Sequence, residues 1–449
     1  MASPTSVPHV VIFPFMAQGH TLPLVDLSRI LARRGLKVTI ITTPANASSI
    51  LPQIVKHSNI HLTEIPFTPV DGLPEGCENT THLPSMRLLA TFIKATEGLQ
   101  QGFELILRDM CQAEPESESR PICVISSFFL GWTLQTCLKF GIPRLVFHGM
   151  GVLTMAVFKS AWFEEPHRHV LLDSEPFEVP GLSLPFELTL EDLYESHRVP
   201  LRDDPLCQIL SKLEEDDVNS WGVVANSFIE MDQDYVPRLN SLYRNGARTW
   251  CAGPFFMYDE MGVQNGDPNI EWLNQIPRHP NSVIYVSFGS QSNVSDTELD
   301  ELACGLELSG HYFMWVVRSQ TWSPPDGFEV RMKGRGVIVR DWVDQRRILA
   351  HSAIGVFLSH CGWNSILESF SFGVPLLAWP MAADQPLNAK FVEGLGAGMR
   401  MGVIGRERIS EAVKELMGGG EKGSMAREKA QEWAIVAKQA VQEVEERNM

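Results

Sequence analysis

Long apolar runs, clustered cysteines and an excess of positive charge are all missing from this 449-residue sequence. Each absence removes a class of function. The apolar run Val10 to Phe15 is too short for a membrane span or a secretory core, and no basic segment precedes it, so a cytoplasmic protein is expected. The eight cysteines are scattered, with no C-x-x-C pair and no grouping with histidine, which argues against structural zinc and for reduced, buried thiols. Metal is expected at none of them. Acidic residues number 54 against 37 basic ones, and the net charge of −17 repels nucleic acid and anionic membranes. An anionic ligand must therefore be held by local features. No G-x-G-x-x-G follows the first strand-like run, which argues against a dinucleotide-dependent oxidoreductase, and Gly418–Gly423 lacks Walker spacing.

What is present is a globular composition, 44% apolar and 20% charged, in a chain long enough for two domains. The run from His9 reads as a strand, Leu22 to Arg34 as a helix ending at Gly35, and Lys37 to Thr42 as a second strand. That is a βαβ unit with a parallel sheet. The alternation continues with Ile122–Ile125, Leu130–Phe140 and Arg144–Phe147. It resumes with Ser282–Phe288, Asp296–Leu308, Tyr312–Val317, Gly336–Val339 and Ile354–Leu358. Between Glu164 and Pro205, frequent proline and acidic residues suit long loops. The expected architecture is α/β, with two Rossmann-like, doubly wound domains facing across a cleft, where ligands collect at strand carboxyl ends. Residues 1–245 form the first domain, 246–270 a linker, 271–430 the second domain and 431–449 a C-terminal helix, within a charged amphipathic stretch that runs from Ala426 to Arg447.

The most informative stretch runs from Trp342 to Gln385: Trp342-Val343-Asp344-Gln345, then His360-Cys-Gly362-Trp363-Asn364-Ser365, Glu368, Gly373-Val-Pro, and Asp384-Gln385. A strand ends at Leu358 and a helix starts within Cys361–Ser365, so backbone N–H groups there can face an anion. A diphosphate fits that spot without a lysine. His360, Asn364 and Ser365 add donors, Glu368 can accept from two vicinal hydroxyls, and Trp342 offers a flat face for a base.

These residues resemble, nearly position for position, the signature box of plant family-1 UDP-dependent glycosyltransferases, and the resemblance extends over almost the entire chain. It implies the GT-B fold, with UDP-sugar bound by the C-terminal half and acceptor by the N-terminal half; residues 431–449 would pack back on the N-terminal domain. By resemblance, Trp342 and Val343 lie at the base, with Trp342 stacking on uracil; Gln345 lies beside it and Glu368 holds the ribose. Ser290, His360, Gly362, Asn364 and Ser365 bind the phosphates. Trp363, Asp384 and Gln385 match the positions that touch the sugar, and the final glutamine resembles glucose-using members. UDP-glucose is then the co-substrate, with no other cofactor and no metal. Val343-Asp344 departs from the commoner Ala-Pro.

His20 lies between the first strand and first helix, where the helix dipole helps keep an imidazole neutral. The resemblance makes it the base that takes a proton from the acceptor hydroxyl, with inversion at the anomeric carbon. Here the sequence departs from the family: Ser127 occupies the place of the usual aspartate partner. A hydroxyl can orient the ring but cannot neutralise its protonated form. Three explanations stand: an enzyme suited to acidic hydroxyls such as phenols, another carboxylate in the role, or a catalytically impaired homologue that only binds UDP-sugar. Phe15, Met16, Phe128, Phe129, Met150, Trp162 and Phe186 fall where the resemblance places the acceptor, suggesting a flat apolar partner such as a flavonoid, another phenolic or a terpenoid. A monomer is expected, with small molecules as its partners.

Overall fold

A computed structural model describes residues 7–112, 120–198, 204–244, 246–259, 266–276, 280–290, 294–319 and 321–446. The linker positions 260–265 and the last three residues lie outside them. The chain divides into two compact units. The first runs to Asp259, apart from Val170–Phe177 and Ser183–Tyr194; those two segments belong with the second, which takes everything after Asp259.

The first unit holds a seven-stranded sheet: β1 (His9–Phe13), β2 (Lys37–Thr42), β3 (Ile60–Glu64), β4 (Pro121–Ser127), β5 (Arg144–Phe147), β6 (Gly222–Ala225) and β7 (Arg248–Cys251). Every pairing is parallel, in the order β3-β2-β1-β4-β5-β6-β7. The second unit has six strands: β8 (Val283–Ser287), β9 (Tyr312–Val316), β10 (Gly336–Val339), β11 (Ile354–Ser359), β12 (Leu376–Ala378) and β13 (Gly398–Arg400). These are also all parallel, in the order β10-β9-β8-β11-β12-β13. A strand covered on both faces must be apolar along its whole length, and β1 and β11 are buried at every position. One core gathers Val11, Phe13, Phe103 and Trp132 against Val124 and Val146. The other gathers Ile284, Val286, Trp315 and Leu358 against the helices Asp296–Ser309 and Arg406–Met417.

Local chemistry explains the element ends. The helix Asp296–Ser309 opens on a reciprocal capping box of Ser295 and Glu298 and closes on Gly310 in the left-handed region. Two expected boundaries move. The apolar spacing suggests a helix start near Leu22, but the helix spans Gln18–Arg33, because the N–H groups of His20 and Thr21 already donate to the Ala17 carbonyl. The last helix starts at Glu421, five residues earlier than Ala426, and packs on the helix Trp363–Ser371, with Phe370 and Trp433 stacked at 6.4 Å.

In each sheet the strand order reverses direction at one place, between β1 and β4 and between β8 and β11. The ends of two neighbouring strands there send their chains to opposite faces and leave a crevice, where open α/β sheets hold ligands.

Candidate functional site

Both switch points carry a histidine. In the first unit, β1 leads through Pro14–Ala17 into the first turn of the helix Gln18–Arg33, where His20 sits buried. Its ring is edge-on to Phe15 (5.7 Å), Phe129 (5.5 Å) and Phe147 (6.0 Å). Gly149 leaves it room: a Cβ there would lie 3.3 Å from His20 Cε1. Burial lowers the His20 pKa to about 3, with a smaller push from His148, so the imidazole is neutral at ordinary pH. Its Nδ1 has no hydrogen-bond partner among the described residues.

Ser127 ends β4 in full burial, and its Oγ accepts the backbone N–H of Phe15 at 2.8 Å. The serine therefore fixes the loop that carries His20, rather than the His20 ring itself. Behind this wall lies a set of buried charges that sequence reasoning missed. His148 Nε2 lies 2.8 Å from Asp217 Oδ2, and the Tyr243 hydroxyl donates to the same carboxylate. Lys159 pairs with Glu214 and Asp217. The available signal was Lys159 itself, a lone charge in the otherwise apolar stretch Val152–Phe163, since lysine is almost never fully buried unless paired.

The expected acceptor residues do not all gather. Phe15, Phe129 and Met150 adjoin His20 or Gly149. Met16 and Phe128 are buried core side chains, and Phe128 stacks on His148 at 4.9 Å. Trp162 meets His197 instead. Phe186 belongs to the second unit, where a Cβ on Gly394 would come within 3.2 Å of its ring.

In the second unit, β11 ends at Ser359 and the helix Trp363–Ser371 begins two turn residues beyond His360, with Gly362, which has no side chain to give, at its N-cap. The N-terminus of a helix, with the dipole behind it, is a place where anions are favoured. The His360 ring lies between two glycines. A Cβ on Gly289 would fall 2.9 Å from it, and one on Gly362 would fall 2.6 Å from Nε2. Burial lowers its pKa to about 4, leaving a neutral ring that can donate one N–H. Ser290 follows Gly289 at the end of β8, the neighbouring strand.

Further along, Gln345 Nε2 donates to Ser365 Oγ (3.1 Å) and Glu368 Oε2 (2.7 Å), while the Tyr285 hydroxyl donates to Gln345 Oε1 (3.2 Å). Arg346 pairs with the other Glu368 oxygen at 3.0 Å. The Trp342 indole is 59% exposed, with the Arg318 guanidinium 5.0 Å from its ring centre, so one face is covered and the other available. Val343 is buried beside it. Gln385 Oε1 accepts the N–H groups of Met381 and Ala382 at 2.9 and 3.0 Å. Burial raises the Asp384 carboxyl to about 6, against a hydrogen bond from Asn388. Asn364 stands in the first helical turn, half-buried. The Trp363 indole is packed inward near Phe391 and is only 3% exposed.

Two parallel sheets, each with a histidine at its switch point, make up the framework of the GT-B class of sugar-nucleotide transferases. The family model described as "UDP-glucoronosyl and UDP-glucosyl transferase" matches residues 270–425. Scopoletin glucosyltransferase of Nicotiana tabacum is 37% identical, over 97% of this chain and 94% of that protein. The UDP-glucose flavonoid 3-O-glucosyltransferase 7 of Fragaria ananassa is 34% identical, over 97% and 93%. Among solved structures, Glycyrrhiza uralensis UGT73P12, complexed with glycyrrhetinic acid 3-O-monoglucuronide, superposes with a TM-score of 0.84 at 30% identity, over 97% of this chain and 92% of that one. Phytolacca americana UGT2, complexed with UDP-2fluoro-glucose and pterostilbene, gives 0.82 at 27%, over 99% of both. The chain belongs to the plant family-1 UDP-glycosyltransferases, enzymes that move a sugar from a UDP-sugar to a small metabolite.

Proposed function

We propose that this enzyme transfers glucose from UDP-glucose, with inversion, to a hydroxyl of a small phenolic or flavonoid acceptor, with His20 as the base. The observation that carries this reading is the neutral, apolar-walled imidazole of His20 at the β1–β4 switch point. A neutral ring accepts a proton, and an acceptor oxygen that loses its proton as it attacks displaces UDP in a single step, which inverts the carbon. The departing diphosphate takes its charge to the N–H groups of the helix Trp363–Ser371 and to His360, Asn364, Ser365 and Ser290. Electrostatic help at that point needs no metal or further cofactor in this reading.

The open face of Trp342 stacks on uracil, with Val343 and Gln345 beside it. Glu368, already positioned by Gln345 and Arg346, accepts the ribose hydroxyls. Glucose is favoured because Gln385, with its oxygen occupied, presents two N–H donors, and Asp384 beside it presents acceptors. The aromatic ring set of Phe15 and Phe129 suits a flat acceptor, and the named relatives act on scopoletin and flavonoids. The reading places a monomer in the cytoplasm; no helix among the described residues is long and apolar enough to cross a membrane.

The test is incubation with UDP-glucose, UDP-galactose and UDP-glucuronate against a phenol and flavonoid panel, with the product anomer read by NMR. A β-glucoside formed fastest from UDP-glucose is expected. An α-linked product, or a clear preference for another donor, would overturn the reading. UDP binding without any turnover would make the protein a binding homologue instead.

A further inference from the structure

The segment Ser183–Tyr194 comes from the first half of the chain but folds with the second unit, where it lies against the helix Gln385–Gly394. It meets that helix at three levels. At the carboxyl end Gly394 makes room for Pro185 and Phe186, since a Cβ there would come within 3.0 and 3.2 Å of them. One turn earlier, Lys390 Nζ donates to the Glu187 carbonyl at 2.9 Å and to Asp192 Oδ2 at 2.5 Å. At the start of the helix, desolvation raises the Tyr194 phenol pKa and the nearby Asp384 carboxylate adds to it.

The segment is itself held in shape. Phe177 donates its N–H to the Leu188 carbonyl at 2.9 Å in an antiparallel bridge, and Leu190 donates to the Asp173 carbonyl at 3.2 Å. Asp192 closes a reciprocal capping box with Thr189, its Oδ2 accepting the Thr189 N–H at 2.7 Å. The Asp192 side chain is 3% exposed and that of Lys390 13%, so the pair is shielded from the water and salt that weaken surface pairs. Desolvation offsets much of the attraction in such a pair, and what it can supply is one defined geometry rather than net stability.

The helix so held is the one that carries Asp384 at its N-cap and Gln385 as its first residue. Asn388, two residues before Lys390, donates to the Cys361 carbonyl at 3.0 Å and to Asp384 Oδ2 at 2.7 Å. The helix is therefore tied to the turn after β11 through Asn388 and to the segment Ser183–Tyr194 through Lys390. We propose that the Asp192–Lys390 pair is a positioning device for the donor sugar: it fixes the helix Gln385–Gly394 so that Asp384 and Gln385 meet the sugar in one orientation. This rests on the reading that those two residues touch the sugar. Lys390 acts through the helix, and a misplacement of reacting groups by about 1 Å can cost on the order of a hundredfold in rate.

The experiment measures calorimetric binding of UDP, UDP-glucose and UDP-galactose, and KM for UDP-glucose with a phenol acceptor, in wild type, Lys390→Met, Lys390→Arg, Asp192→Asn and the exposed control Lys429→Met. Lys390→Met should weaken UDP-glucose and raise its KM on the order of tenfold, narrow the preference over UDP-galactose, and leave UDP affinity unchanged. Asp192→Asn, which keeps an oxygen for the Thr189 N–H, should show part of this effect. Lys390→Arg, which keeps the charge, should recover most of the loss, and Lys429→Met should match wild type. Unchanged sugar preference in Lys390→Met would overturn the proposal, and so would equal weakening of UDP and UDP-glucose, which marks a general loss of structure. If wild type shows no preference for UDP-glucose, the reading of the donor fails separately. Amide hydrogen exchange over Gln385–Asn388 then decides on the pair: faster exchange in Lys390→Met is expected, and equal exchange would reject it.

Discussion

At the scale of single residues, the question with most chemical consequence is what Ser127 does for His20. Its Oγ is committed to the Phe15 N–H at 2.8 Å, and the His20 Nδ1 has no partner among the described residues. In the proposed reaction, the proton that His20 takes is thus held on a ring with a pKa of about 3 and no hydrogen-bonded counter-charge among the described residues. Such a base is weak, and a weak base discriminates strongly in favour of hydroxyls that ionise easily. The rate on phenols should exceed that on plain alcohols and should fall steeply as acceptor pKa rises. Ser127→Asp keeps an oxygen for the Phe15 N–H and brings a carboxylate to the His20 side. It should raise the rate on alcohols on the order of tenfold or more relative to phenols. The check is kcat against acceptor pKa for both proteins; equal turnover of alcohols and phenols by wild type would sink this account.

At the scale of elements, the donor side depends on a close fit between two strand-end turns. Gly289 follows β8 and Gly362 caps the helix after β11, and between them they leave one place for the His360 ring. Gly289 also has φ +76, where a side chain adds strain on the order of 1 kcal/mol. Gly289→Ala and Gly362→Ala should each push the ring aside and weaken UDP binding by about tenfold, whereas Gly419→Ala, with open space around it, should not. Calorimetry with UDP measures this, and unchanged affinity in both variants would remove His360 from the phosphate site. This part of the fold was legible in the sequence because its residues are neighbours in the chain: one strand, one turn and one helix start carry most of the motif. The buried set of Lys159, Glu214, Asp217 and His148 was not, because its members lie up to 69 residues apart. The acidic run Glu214–Asp217 also reads as a solvated face until the neighbouring elements are in place. The placement of Phe186 was not legible for a related reason. Its segment, Ser183–Tyr194, has weak periodicity, and nothing in it signals that it folds with the second unit.

At the scale of the whole molecule, burial of ionisable groups sets how stability depends on pH. Two groups in the first unit act with opposite sign. His20 has its pKa lowered to about 3 from an ordinary 6.5, so the unfolded chain binds the extra proton throughout that window. Its contribution is present above 6.5 and is lost as pH falls toward 3. Asp232, fully buried near Tyr235 and Cys251, has its carboxyl raised to about 7 by burial, so the folded state keeps a proton that the unfolded chain releases. Its contribution is full below about 4 and is lost as pH rises to 7. Each displaced proton amounts to a slope on the order of 1 kcal/mol per pH unit. His197, also lowered to about 3, adds to the acid side of the same unit, so two imidazoles oppose one carboxyl near pH 5 among these strongly displaced groups. Acidification from pH 7 to 5 should therefore lower the melting temperature of the first unit. His20→Gln should flatten that decline, and Asp232→Asn should steepen it while stabilising the protein at pH 8. Thermal melts of the three proteins from pH 5 to 8 give the slopes, and identical pH dependence in all three would show that neither group is held in the neutral form by the fold.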